Sequence, residues 1–195
     1  MVDATRCCRL SVMLLKIKNR KNAKTSILGR FFRNDDGVVA IEFAAVAFPF
    51  FLLIIGTLET AIVFMAGMAL DHGMQRTARF VQTGQAATAN MSQSDFKTMV
   101  CDNAVMLPSC LTTVKVDVRN FDSFTSASFP SMTKPNGDPL DDADYQYNIG
   151  ASEETVVVRV SFEWPILSSV INSGLGNMNN GNRLLISSWA FKNEP

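Results

Sequence analysis

The chain has 195 residues, 47% of them hydrophobic, with eighteen basic and eighteen acidic residues and a formal net charge of zero. Nucleic-acid binding is disfavoured, because the basic residues gather at the N-terminus and the rest of the chain is acidic. The charge is unevenly spread: residues 1–36 hold nine Lys or Arg (Arg6, Arg9, Lys16, Lys18, Arg20, Lys21, Lys24, Arg30, Arg33) against three Asp, so the remainder is acidic. A basic N-terminal segment before an exported acidic bulk is the asymmetry of the positive-inside rule, with the N-terminus in the cytoplasm.

From Val38 to Leu70 only Glu42 and Glu59 are charged, and the sixteen residues Phe43 to Leu58 between them are mostly Phe, Leu, Ile, Val and Ala. Such a run makes ~24 Å of helix, and with residues 38–41 it reaches the ~20 residues a bilayer requires. One span is the simplest topology, with Glu42 near the inner boundary and Glu59 near the outer one. A secretory signal would end at a small-residue cleavage site, whereas this apolar run continues into Ala61-Ile62-Val63-Phe64-Met65-Ala66 without an A-x-A site. The alternative is cleavage before the apolar segment, at Gly37, which removes the leader and keeps the helix.

Gly37 followed five residues later by Glu42 at a basic-to-apolar boundary resembles the processing site of type IV prepilins. The run Arg33-Asn34-Asp35-Asp36-Gly37-Val38-Val39-Ala40-Ile41-Glu42-Phe43-Ala44, then Pro49, Gly56-Thr57-Leu58-Glu59 and Gln75-Arg76-Thr77-Ala78-Arg79, resembles the TadE-like family of minor pseudopilins; the ending Trp189 to Pro195 does so more loosely. Related small pilins usually carry Tyr after the Glu, where this chain has Phe43 and so lacks the hydroxyl. The resemblance implies a subunit cut after Gly37 by a prepilin peptidase, which takes part in assembling a Flp-type type IV pilus or related secretion machine. Its implied partners are the peptidase, the major Flp pilin, other pseudopilins, the inner-membrane assembly platform and membrane lipid, and its implied place is the bacterial inner membrane with the C-terminal domain periplasmic.

Elementary chemistry offers Glu42 a role. Cleavage after Gly37 would create an α-amino group on Val38, cationic near neutral pH for a reference pKa of about 7.7–8.0. Glu42 lies four residues further on, within about one helical turn, and a carboxylate in an apolar setting is tolerated when paired. In pilins, as the resemblance implies, this carboxylate meets the N-terminal amine of a neighbouring subunit. Gly37 reads either as the Cβ-free position a peptidase requires or as a glycine that loosens the chain before the helix.

Glu59 reads either as an exposed side chain at headgroup level or as a contact to a partner subunit; about 100° per residue puts it on a different face from Glu42. Pro49 removes one backbone hydrogen bond inside the span, where transmembrane helices tolerate proline or use it as a point of local melting.

Beyond the membrane the helix continues over Asp71 to Gln82, with Met74, Ala78 and Val81 on the apolar side and Asp71, Gln75, Arg76 and Arg79 on the polar side. His72, the single histidine, lacks ligand companions at metal spacing and reads as solvated helix surface. Thr83 to Met91 reads as a connector. Ser92 and Asp95 form a helix-start signature, with Phe96, Met99, Val100 and Ala104 continuing an amphipathic helix that ends before Pro108.

Cys101 and Cys110, in an oxidising compartment, are expected to form a disulfide joining the helix end to the following strand; two free thiols are the alternative. Cys7 and Cys8 belong to the leader, and Met13 offers a second start.

The period then changes to alternation. Val114, Val116 and Val118 face one way and Lys115, Asp117 and Arg119 the other, as in a half-buried strand. Residues 120–154 read as a solvated loop; its cluster Asp138, Asp141, Asp142, Asp144 lacks the Asp-x-Asp-x-Asp-Gly pattern of a calcium loop. A strand over Thr155 to Leu167, ended or placed at an edge by Pro165, a Gly/Asn-rich loop over Asn172 to Asn182 and a last strand over Arg183 to Lys192 complete the pattern.

The expected fold class is α+β: a long N-terminal transmembrane helix continuing into a periplasmic domain with a short helix and a three-stranded antiparallel sheet. The expected organisation is a basic leader over 1–37, a membrane helix over 38–70 with the TadE-like region at about 33–85, periplasmic helices over 71–110 and the sheet domain over 111–195. No G-x-S-x-G, His-based triad, metal motif or phosphate loop occurs, so neither catalysis nor a cofactor is expected. Beside the pseudopilin stands a second reading, an uncleaved signal-anchor protein whose periplasmic domain binds a partner at the envelope.

Overall fold

The computed structural model describes residues 37–167 and 174–195. The leader, with its basic residues, Cys7, Cys8 and Met13, lies outside the described residues, as do residues 172 and 173 of the Gly/Asn-rich loop. The chain divides into two compact units, Met1–Leu52 and Leu53–Pro195. Helix α1 (Val38–Gln82) contributes to both.

In the first unit, Gly37 forms a 3-10 turn and α1 begins at Val38. Pro49 lies inside the helix, which runs on without a break. Proline leaves the carbonyl one turn before it without its usual donor, a loss that helices absorb more readily in apolar surroundings when neighbours compensate.

In the second unit, α1 buries Val63, Ala66, Leu70, Met74, Ala78 and Val81, spaced three or four residues apart, so that one stripe of the helix enters a core. Asp71, Gln75, Arg76 and Arg79 stay exposed, as the periodicity predicts. The span expected to be a plain connector contains a helical turn of its own, α2 (Gln85–Thr88), which buries Ala86. Helix α3 (Gln93–Asn103) starts with a reciprocal capping box: the Asp95 N–H donates to Ser92 Oγ and the Ser92 N–H to Asp95 Oδ2, at 3.2 and 3.0 Å. Two of the orphan donors of the helix start are thereby satisfied.

Cys101 and Cys110 are joined, with 5.7 Å between their Cα atoms. The bond ties α3 to α4 (Cys110–Thr113), a helical turn preceding the sheet, and so lands one element earlier than the expected strand.

Strands β1 (Lys115–Phe121), β2 (Thr155–Trp164) and β3 (Arg183–Lys192) form an antiparallel sheet in the order β1-β2-β3. Val118 pairs with Val158, which pairs with Trp189. The expected α+β arrangement is the one observed. Strand β2 stops at Trp164, because Pro165 has no N–H to extend the ladder. Val116, Val118, Val156, Val158, Val160 and Phe162 pack with the α1 stripe and with Phe96 and Val100 of α3 in one core. Fully burying such a side chain contributes about 1.5–3 kcal/mol.

The other sheet face departs from the expected half-buried pattern. Asp117, Val157, Arg159 and Ser161 are all buried. The cover comes from the acidic segment itself, which is therefore not the solvated loop its composition suggests. Val118 donates its N–H to Gln146 O and accepts from Asn148 N–H, so the segment pairs along the outer edge of β1. Met132, Met178 and Leu184 form a second small core, with Tyr145 against it. A free sheet edge and a polar sheet face are thereby closed together.

Candidate functional site

The junction from Gly37 to Phe43 sits wholly in the first unit. Among the described residues no atom lies within 4 Å of a Cβ built on Gly37, so packing against them does not require glycine there. The first turn of α1 contains no acidic residue, which makes Glu42 the first carboxylate along the helix. It is one turn beyond Val38, a rise of about 6 Å, near enough to the helix start to feel its unpaired N–H groups. Glu42 is exposed, and among the described residues no hydrogen bond or ion pair reaches it. Phe43 beside it is 72% exposed.

The helix is apolar around this carboxylate. An eighteen-residue window of α1 is apolar enough to cross a membrane and none of it is buried in the chain. Val39, Val46 and Phe48 are largely exposed. Surface of this kind is stable in water only when something covers it, and lipid or other apolar helices are the available covers.

Residues 37–79 match the model of the family described as TadE-like protein. Over those residues the chain is similar to TadE-like proteins. The match begins at the junction glycine and takes in Val38, Glu42, Phe43, Pro49 and Glu59, so the resemblance read from those motifs holds there; it stops short of α3 and the sheet. No curated protein and no solved structure matches the chain.

Glu59 belongs to the second unit and is only 9% exposed, so it is not the exposed side chain that one reading expected. Its Oε1 accepts the backbone N–H of Leu167 at 2.7 Å, a contact within the chain that spacing along the helix does not reveal. His72 is exposed on α1, as expected for solvated helix surface. Among the described residues no three of His, Cys, Asp and Glu gather to hold a metal ion. In the acidic cluster, Asp141 pairs with Lys134 at 2.8 Å and Asp142 with Lys115, while Asp144 Oδ2 accepts the Asp141 N–H at 3.1 Å. These carboxylates work as loop fasteners.

The polar cluster that sequence reading missed is Asp117 with Arg159. Both are buried, Asp117 on β1 and Arg159 opposite it on β2. Arg159 donates through Nε and Nη2 to Asp117 Oδ2 and through Nη1 to Pro130 O. Asp117 Oδ1 also accepts from Gln146 N–H at 2.9 Å and from Arg119 Nε at 3.0 Å. Burial alone would raise the Asp117 pKa, but the Gln146 N–H and the two guanidiniums outweigh it and hold the carboxyl below its usual range. Nearby, burial and then the Asp95 charge push Tyr147 up to about 12, so its hydroxyl keeps its proton and donates to Met91 O at 3.2 Å. This network fastens loop to sheet; its only hint in the sequence was ionisable residues alternating along two strands.

Proposed function

We propose that the chain is a minor pseudopilin: a single-pass inner-membrane protein cut after Gly37 by a prepilin peptidase, which helps to assemble a Flp/Tad-type type IV pilus or related secretion system. On this reading residues 1–37 are the cytoplasmic leader, 38–70 the membrane helix, and 71–195 the periplasmic helices and sheet domain. The basic leader against an acidic remainder supports that orientation. The partners are the peptidase, the major Flp pilin, other pseudopilins and the assembly platform.

The observation that carries the reading is Glu42: an exposed carboxylate on an apolar helix, one turn past the residue that cleavage would turn into an amino terminus. An isolated ion there is costly in lipid, and an ammonium supplied by a neighbouring copy or pilin would offset that cost. Phe43 and Pro49 then belong to the surface that meets neighbouring helices.

The test is the mass of the membrane-extracted protein. A chain beginning at Val38 is expected; one that retains Arg30 and Arg33 refutes processing and favours the uncleaved signal anchor. Gly37→Arg should insert normally and keep its leader. Glu42→Leu should be processed and inserted yet assemble poorly, so full pilus formation by that variant would remove the assembly role of the carboxylate.

A further inference from the structure

We propose that the segment from Trp164 to Leu167, which follows β2, is a second membrane contact, seating its apolar side chains among lipid acyl chains beside α1. The inference rests on α1 being the membrane span.

The observations lie within the second unit. Ile55, Leu58, Glu59 and Ile62 of α1 face Trp164 and Leu167 across an open cavity of 330 Å³. Leu167 is 91% exposed, and Ile55, Leu58 and Ile62 are about half exposed. Outward-facing side chains of α1 remain apolar well past this level: Phe64 and Met68 are exposed too, and the first exposed charged residue after Glu42 is Asp71. The groove is therefore flanked on both sides along the helix by apolar surface, continuous with the span. Trp164 is half-buried, its ring 6.2 Å from that of Phe162, with one side against the core. Tryptophan is enriched at membrane–water interfaces, where its largely apolar ring meets the edge of the acyl region.

Entry of a loop into lipid is opposed by its backbone N–H groups, which lose water. Here two of the three residues after Trp164 present no unpaired donor. Pro165 has no N–H, and the Leu167 N–H is taken by Glu59 Oε1. This gives the buried Glu59 a purpose: it satisfies the loop backbone at the level where water becomes scarce. Among the described residues the groove lining is apolar except for Glu59, whose Oε1 already accepts the Leu167 N–H, so it offers a polar partner surface little to match. Acyl chains are the occupant that its chemistry fits.

The full chain is reconstituted in phosphatidylcholine vesicles with and without bromine on the upper part of the acyl chains. The two tryptophans, Trp164 and Trp189, are read separately through Trp189→Phe and Trp164→Phe. Trp189 pairs with Val158, six residues back along β2 from Trp164, or roughly 20 Å away, and serves as the internal control. Expected is loss of Trp164 fluorescence in brominated vesicles, no loss for Trp189, and recovery of Trp164 fluorescence in Leu167→Asp.

Leu167 is nearly fully exposed, so that change should leave the fold intact; if either Phe variant fails to fold, Leu167→Asp in the two-tryptophan chain gives the same comparison. Equal Trp164 emission in both vesicle types, with the protein resistant to carbonate extraction, overturns the loop contact alone and leaves a protein helix as the occupant of the groove. Extraction by carbonate overturns the span reading and this inference with it.

Discussion

Replacing Gly73 with Ala sets two physical effects against each other. In an isolated helix Ala is favoured over Gly by about 0.8–1 kcal/mol, so propensity alone predicts stabilisation. In the fold, however, a Cβ on Gly73 would stand 2.6 Å from Val100 O, 2.8 Å from Ala104 Cβ and 3.1 Å from Ala104 N. The first two are well inside van der Waals contact, which for carbon pairs is about 3.5–4.0 Å. Two of the three atoms are backbone, and Val100 O already accepts the Ala104 N–H at 2.8 Å at the α3 terminus. The Cys101–Cys110 bond holds that terminus to α4, so α3 cannot simply slide away. Overpacking of this kind costs about 1–3 kcal/mol, which exceeds the propensity gain over most of its range.

The assay is thermal unfolding of the full chain in detergent, followed by tryptophan emission. A net loss of about 1–2 kcal/mol lowers Tm by roughly 2–8 °C in a chain of this size. The control is Gly67→Ala on the same helix, where among the described residues no atom lies within 4 Å of the added Cβ; there the propensity gain should appear unopposed. If both variants rise in Tm, the close approach of α1 and α3 at Gly73 is refuted.

Three further expectations concern the same unit. Asp117→Asn leaves Arg159 buried without its counter-charge and should cost about 3–5 kcal/mol, while Asp117→Leu combined with Arg159→Met should cost less than either single change, as a double-mutant cycle in urea would read. Because the folded pKa of Asp117 is lowered, its contribution is fully present above its unfolded value near 3.9 and lost as pH falls through the lower folded value. Tm should thus decline below about pH 4, and a wild-type acid profile identical to that of Asp117→Asn would contradict this. Replacing Cys101 and Cys110 together with Ser should lower stability by about 2–3 kcal/mol and abolish the effect of reductant on the melt; a reductant effect that persisted would place the sensitive bond elsewhere.

What the amino-acid order determined by itself is the part governed by local chemistry. The apolar run past Gly37, the stripe of Met74, Ala78 and Val81, the Ser92 and Asp95 cap, and the alternation along β2 and β3 depend on neighbours within a few residues, which any reader of the chain can count. Pro165 ended a strand for the same reason. The Gly37 to Glu42 junction was legible in this way too, since its meaning comes from position at a charge boundary.

Contacts between distant segments were decided only by the tertiary structure. Composition marked residues 120–154 as solvated, yet β1 and β2 meet with Asp117 opposite Arg159, and burying that pair requires a cover that the same segment supplies through Pro130 and Gln146. Glu59 reads as a surface acid until Leu167, 108 residues later, brings its N–H to it. The charges were visible in the sequence; which of them lost water depended on chain packing, and a charge that loses water must find its partner wherever the fold places one.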